Sequence, residues 1–346
     1  MWIQDIQNQS PEKKILALSP MADMTDSAFC QVIRDIGGAD IVYREMVSSE
    51  AIVRDNEKTL GMTDFVEGER PIVQQIFGAD PKTMAKAAEI VMNHAHPEGI
   101  DINMGCPVYK LTSNFNGAAL MKDAELAAEI VREMKQAIGD TPLSVKIRLG
   151  WDDPDTFKTF IPKMEEAGAQ LITMHGRTKA QGYSGKSDWE RIRQAKEIAT
   201  VPFLANGDIH EWHQVDDALK QTGADGGLIA RGALGNPWFF SQYVNQDGTV
   251  TPEERARVIL KHAKLHVAHN ARLRMLSSMG KLKGRTEEEL QDKAIVTFRK
   301  HLSWYFKSNK IGFDVPGIKE WRGRLVRVQS IDEMEKLLKE FVEMCK

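Results

Sequence analysis

Ile15-Leu16-Ala17-Leu18-Ser19-Pro20-Met21-Ala22-Asp23 decides between the two fold classes open to this chain. Ile15 to Ala22 reads as a short apolar strand, and the turn after a first strand separates those classes. A doubly wound open sheet places a Gly-x-Gly-x-x-Gly turn there to receive a dinucleotide, whereas a closed barrel needs none. The turn here is Pro20-Met21-Ala22-Asp23, without glycine. Strand-like runs recur at Ile41 to Val47, Ile72 to Phe77, Gly99 to Met104, Leu143 to Leu149, Leu171 to His175, Val201 to Asn206 and Gly226 to Ala230. Segments of helical composition separate them, among them Pro81 to Asn93, Ala118 to Ile138, Pro154 to Ala167, Trp189 to Ile198 and Glu211 to Gln221. Eight strands alternating with helices predict an α/β chain built on a (β/α)8 TIM barrel.

The pattern changes after Gly248. Thr251-Pro252-Glu253-Glu254 combines a helix cap, a proline at the first helical position and a capping-box Glu, and Thr286 with Glu289 and Ser330 with Glu333 repeat the box. A further helical stretch runs near Ile318 to Val328. Two domains are therefore expected, a barrel over 1–248 and a C-terminal helical bundle over 249–346. The formal net charge of −3 hides an asymmetry between them. Residues 251–346 carry 21 Lys and Arg against 13 Asp and Glu, while residues 1–250 carry 25 against 36. A basic tail on an acidic body fits a module that faces nucleic acid, and it also fits an ordinary solvated helical surface.

Met1 to Lys14 contains Asp5 and Glu12 and no apolar run, so it resembles neither a secretory signal nor a membrane span, and a cytoplasmic protein is expected. Cys30, Cys106 and Cys345 are odd in number and lack metal-ligand spacing, which predicts free thiols and no metal site.

The active face of a barrel lies at the strand ends and the loops just beyond them. In Asp101-Ile102-Asn103-Met104-Gly105-Cys106-Pro107 a strand ends in a sharp turn, because Gly105 permits unusual dihedrals and Pro107 biases Cys106 away from helix. Cys106 is either an aimed thiol or an inert core cysteine. Gln75 and Lys146 interrupt runs that should be continuously hydrophobic, and a polar ligand in the barrel mouth supplies a reason. Lys146 could alternatively pair with a carboxylate such as Glu45. The loops after the last two strands, Asn206-Gly207-Asp208 and Ala230-Arg231-Gly232, combine glycine and arginine where barrels bind phosphate.

Taken in order, Ala17 to Asp26, Glu69 to Pro81, Asp101 to Pro107, Val145 to Gly150, His175 to Gly185, Asn206 to Ile209 and Arg231 to Trp238 resemble the tRNA-dihydrouridine synthase family. The resemblance spans about residues 15 to 240, and the helical tail fits it. It implies a barrel holding FMN, a helical domain binding tRNA, and NADPH as reductant. By position, Pro20, Met21, Ala22, Gln75, Lys146, His175, Asn206, Gly207, Asp208, Ala230 and Arg231 match flavin contacts. Cys106 matches the proton donor and Asn103 a uracil contact, while Arg148 and Arg177 are candidate anchors for the base. The implied chemistry is hydride transfer from N5 of reduced FMN to C6 of a uridine lifted out of the tRNA, with Cys106 protonating C5. The chain departs from the family pattern at Asp23 and Ala230, where glycine is usual. Leu111 to Asn116 (LTSNFN) also replaces a glycine-rich loop, which leaves the choice of target uridine open. A monomer is expected.

Other patterns point to lesser readings. Gly182-Tyr183-Ser184-Gly185-Lys186-Ser187 imitates a phosphate loop but has Ala180 where the first glycine belongs. His262, His266 and His269 share a helix face and suggest a basic, partly RNA-facing helix more than a metal site. Phe298, Trp304, Tyr305 and Phe306 are expected mostly to fill a bundle core. The competing functions are an FMN barrel acting on a free pyrimidine, as dihydroorotate dehydrogenases do, and a tRNA-binding protein without catalysis.

Overall fold

The eight apolar runs form strands β1 (Ile15–Leu18), β2 (Ile41–Ser48), β3 (Ile72–Phe77), β4 (Gly99–Asn103), β5 (Leu143–Arg148), β6 (Leu171–His175), β7 (Phe203–Asn206) and β8 (Gly226–Ile229). These come from a computed structural model that describes residues 13–277, 287–312 and 315–346. Every neighbouring pair is parallel, and β1 pairs with both β2 and β8, placing Ile15 opposite Gly226. Because β1 has neighbours on both sides, the sheet has no edge, which excludes the open-sheet alternative.

Between and after the strands run α1 (Ser27–Ile36), α2 (Ser49–Val53), α3 (Glu57–Gly61), α4 (Pro81–Ala95), α5 (Tyr109–Thr112), α6 (Ala124–Ile138), α7 (Phe157–Glu166), α8 (Trp189–Ile198), α9 (Val215–Thr222) and α10 (Phe239–Asn245). Asp26, Asp80, Asp123 and Asp188 cap α1, α4, α6 and α8, each accepting a backbone N–H of the first turn. The helix expected from Ala118 begins only at Ala124, because a 3₁₀ turn over Gly117–Lys122 precedes the Asp123 cap.

Strand side chains alternate between the barrel interior and the helical layer. Inside, Ile15, Ala17, Ile41, Tyr43, Val73, Leu171, Leu204 and Leu228 form a closed apolar plug. The same alternation brings Gln75, Asp101, Asn103, Lys146, Arg148, His175 and Asn206 inward above it. Register sets Asn103 beside Lys146, Arg148 beside His175, and His175 beside Asn206. A ring of polar side chains therefore lies on an apolar floor.

The C-terminal part comprises α11 (Pro252–Leu276), α12 (Glu287–Tyr305), α13 (Ile318–Leu325) and α14 (Ile331–Cys345). Thr251 and Ser330 cap α11 and α14 as their sequences predict. The helix start expected at Thr286 lies outside the described residues. Phe298, Tyr305 and Phe306 are buried in a second core with Ile259, Leu302 and Phe341.

The histidine face of α11 corrects a sequence expectation. His262 and His266 do not face outward but are buried where the bundle meets α1. His266 Nδ1 lies 2.8 Å from Asp26 Oδ2 and its Nε2 2.8 Å from Thr297 Oγ1, while His262 Nδ1 lies 3.0 Å from Tyr305 Oη. Long helices present one face to whatever they dock on, and here the barrel's first helix occupies it. A second seam joins the bundle to the barrel mouth. Buried Arg255 donates to the carbonyls of Gly235, Tyr305 and Lys310, and Lys310 Nζ donates to those of His210 (2.8 Å) and Gly232 (3.1 Å).

Candidate active site

A cavity of about 340 Å3 opens at the C-terminal ends of the strands, within the range of small-molecule and cofactor sites. It brings together Pro20, Met21, Ala22, Gln75, Asn103, Cys106, Lys146, Arg148, His175, Asn206, Gly207, Asp208, Ala230 and Arg231. Of the residues singled out from sequence, Arg177 alone does not line it.

Its floor is a chain of hydrogen bonds. Gln75 Nε2 and Ser144 Oγ each donate to Asp101 at 2.6 Å. With its Nε2–H donated to Asp101, the Gln75 amide leaves Oε1 free to accept on the other side. Asn103 Nδ2 donates to that oxygen at 2.8 Å, and Asn103 Oδ1 in turn accepts the backbone N–H of Cys106 at 2.9 Å. Cys106 is therefore placed by the barrel interior through three side chains. It is also fixed from the far side. Gly117 has φ +62°, and a Cβ there would lie 2.8 Å from the Cys106 carbonyl oxygen, which itself accepts from Ala118 N–H. The thiol is partly exposed at the rim, whereas Cys30 is fully buried in the core.

Lys146 Nζ donates to Asn206 Oδ1 at 3.0 Å, so the pairing with Glu45 does not occur. Glu45 instead accepts the N–H of Asp23 at 2.7 Å. Asp23 has φ +61°, which explains physically why glycine suits this position and why a polar chain that tolerates the left-handed region can stand in. Burial, with Arg148 alongside, draws the Lys146 ammonium down to about 8. Burial pushes Asp101 up to about 7. His175 is held well below its ordinary range by burial and by Lys146, Arg148 and Arg177, so its imidazole is neutral at neutral pH. Nε2 can then accept from Arg177 Nη1 at 3.1 Å, leaving Nδ1–H as the donor.

Arg148 and Arg177 are buried, and their guanidinium groups are engaged by the protein. Arg148 donates to the carbonyls of Gly105, Thr178 and Gly182. Arg177 donates to those of Ser184 and Gly185 and to both carboxylate oxygens of Asp208. Together they clamp the 178–185 loop. Tyr183 at its tip also lines the cavity, with its ring 5.2 Å from the Arg231 guanidinium and 5.8 Å from that of Arg148. Sequence reasoning passed over Tyr183, Met46 and His210. Tyr183 sits inside the false phosphate loop, whose glycines Gly182 and Gly185 take positive φ to present it.

A family model described as Dihydrouridine synthase (Dus) matches residues 16–345. The chain belongs to the dihydrouridine synthase family. Among curated members of this family, it is 34% identical over 330 residues to a probable tRNA-dihydrouridine synthase 1 of Synechocystis, covering 95% of this chain and 86% of the relative. A tRNA-dihydrouridine synthase B of Pseudomonas aeruginosa is 33% identical, covering 92% and 89%. Among solved structures, the old yellow enzyme from Trypanosoma cruzi superposes with a TM-score of 0.52 at 10% identity, over 70% of this chain and 91% of that one. At that identity the likeness is one of fold, and it agrees with the closed barrel. Among the described residues, no helix is long and apolar enough to cross a membrane, and no group of three His, Cys, Asp or Glu is arranged to hold a metal ion.

Proposed function

We propose that this protein reduces uridine in tRNA to 5,6-dihydrouridine, with FMN as its bound cofactor and NADPH as reductant. The observation that carries this reading is convergence. Motif positions spread over more than two hundred residues line one cavity, with Cys106 at its rim. The donor set suits a flat phosphorylated ring system. Pro20, Met21, Ala22 and Leu228 offer apolar contact, Gln75 and Lys146 offer polar contact at the floor, and Arg231 beside the Gly207 loop can take a phosphate. Gly207 has φ +114°, and a Cβ there would approach His175 Cδ2 to 2.7 Å, so glycine keeps the loop and the imidazole in close contact.

When bound, the flavin supplies the hydride that saturates the pyrimidine double bond. This chain's residues do the rest. Lys146 keeps positive charge beneath the site, Asn103 orients the Cys106 turn, and Cys106 Sγ gives the proton that C5 requires. The target base enters by leaving its stack, since a cavity of about 340 Å3 has no room for a duplex. Residues 249–346 form the module that holds the rest of the tRNA, and the protein acts as a monomer in the cytoplasm.

The test is nucleoside mass spectrometry of unmodified tRNA incubated with the protein, FMN and NADPH. A gain of two hydrogens on uridine is expected. Cys106→Ala should lower dihydrouridine formation about 100- to 10,000-fold while retaining bound flavin. Full activity in that variant would remove Cys106 from its role, and NADPH consumption by the wild type without dihydrouridine would assign the cavity to another pyrimidine.

A further inference from the structure

Two aromatic side chains break the rule that rings of this size are covered. Among the described residues, every Phe and Trp is at least partly buried, and the exposed large hydrophobics that carry a ring are Tyr109, at 81%, and Tyr183, at 63%. Both belong to the loops that frame the cavity. Tyr109 opens α5 three residues after Cys106, next to Val108, which lines the cavity and is itself 53% exposed. Tyr183 lines the cavity from the opposite loop, on the segment clamped by Arg148 and Arg177.

Neither phenol has a hydrogen-bond partner among the described residues, and Tyr183, though its ring lies near the Arg231 and Arg148 guanidinium groups, keeps most of its surface open. Both backbones are fixed. The turn bearing Tyr109 is tied down by the bonds of Cys106 to Asn103 and Ala118 and by the buried Leu111. Lys110 follows Tyr109 directly and Lys186 comes three residues after Tyr183, and both are exposed. Rigid rings with cations beside them form the pattern that holds unpaired nucleotides, because every base offers a face to stack on and every linkage a phosphate.

We propose that Tyr109 and Tyr183 are stacking platforms for the unpaired bases flanking the uridine that enters the cavity, so that the protein selects a single-stranded loop by shape. This rests on the function proposed above and names the part of the RNA that this surface grips. Stacking needs the ring and not the hydroxyl, which sets the test.

The experiment measures binding of a fluorescein-labelled unmodified tRNA transcript to the flavin-loaded protein by fluorescence anisotropy, with bound-flavin absorbance reporting correct folding. Tyr109→Ala should weaken binding about 10-fold and Tyr109→Phe less than about twofold. A 20-base-pair RNA duplex, which has no unpaired base, should bind both forms equally. Wild-type affinity in Tyr109→Ala, or an equal loss in Tyr109→Phe, overturns the proposal. So does self-association of the wild type that disappears in Tyr109→Ala on sedimentation, which would assign the ring to a second copy of this chain. Because the readout is binding, tRNA that binds as expected but is not reduced would refute the proposed reaction and leave this inference standing.

Discussion

The barrel mouth and the junction between barrel and bundle contain the same kinds of side chain and treat them in opposite ways. At the junction, Asp26 uses one carboxylate oxygen to cap α1 and the other to meet His266, while His262 and His301 pack ring against ring 4.5 Å apart. Burial draws His262 down to about 3 and His269 to about 4, so these imidazoles are neutral. At the mouth, Lys146 and Arg231 keep donors directed at a cavity. Burial of polar groups therefore does not by itself mark a site. A site is marked by donors aimed at open space, whereas the junction encloses its histidines among packed rings, leaving Nε2 of His262, His269 and His301 buried without a hydrogen-bond partner among the described residues.

The largest expected effect tests the junction. Asp26→Ala strands His266 and removes a helix cap, and should cost about 3–5 kcal/mol in urea unfolding. Flavin content of the protein that remains folded should be unchanged. If flavin is lost while stability holds, the junction belongs to the site and the comparison fails.

Next comes Gly207→Ala at the mouth. A methyl group would lie 2.5 Å from Ser187 Oγ and 2.7 Å from the His175 ring, at a φ that L-residues resist. It should cost about 1–3 kcal/mol in stability and weaken FMN binding about 10-fold by equilibrium dialysis. A change in stability alone, with FMN affinity intact, would detach this loop from the cofactor.

The smallest effect concerns pH. Asp101 is raised by burial to about 7, so the stability linked to it is fully present below its unfolded value near 3.8 and is lost as pH rises through about 7. His262 and His269 are lowered, so their contribution is present above about 6.5 and is lost as pH falls toward their folded values. The two regions pull in opposite directions over the same window, two histidines against one carboxyl, so urea midpoints should rise from about pH 4 to about 6.5 and then level off. Asp101→Asn should steepen that rise and leave the plateau above about pH 7 flat.

Much of this was legible in the residues. Two strands, Ile72 to Phe77 and Leu171 to His175, have the bounds read from their apolar runs, because burial on both faces leaves little ambiguity. Polar interruptions such as Gln75 and Lys146 announced the mouth for the same reason. Three things could not be read locally. The burial of His262 and His266 depends on α1, some 240 positions away in the chain. The partners of Arg148 are backbone carbonyls, and Arg177 adds the carbonyls of Ser184 and Gly185 to its side-chain partners Asp208 and His175; carbonyls leave no signature in side-chain identity. Tyr183 lay in a pattern whose glycines suggested phosphate but serve a turn.

Lys310 gives the architecture a last consequence. Its ammonium group, carried by the bundle, is bonded to the carbonyls of His210 and Gly232, in the loops after β7 and β8. The helical unit is thus not a detachable cartridge. A segment transplanted onto this barrel without that lysine would remove a bolt from the two loops that line the cavity, and drift in how the bundle sits is constrained wherever it pulls on that lysine. The exposed surface of the bundle is thus freer to change than its seat on the barrel.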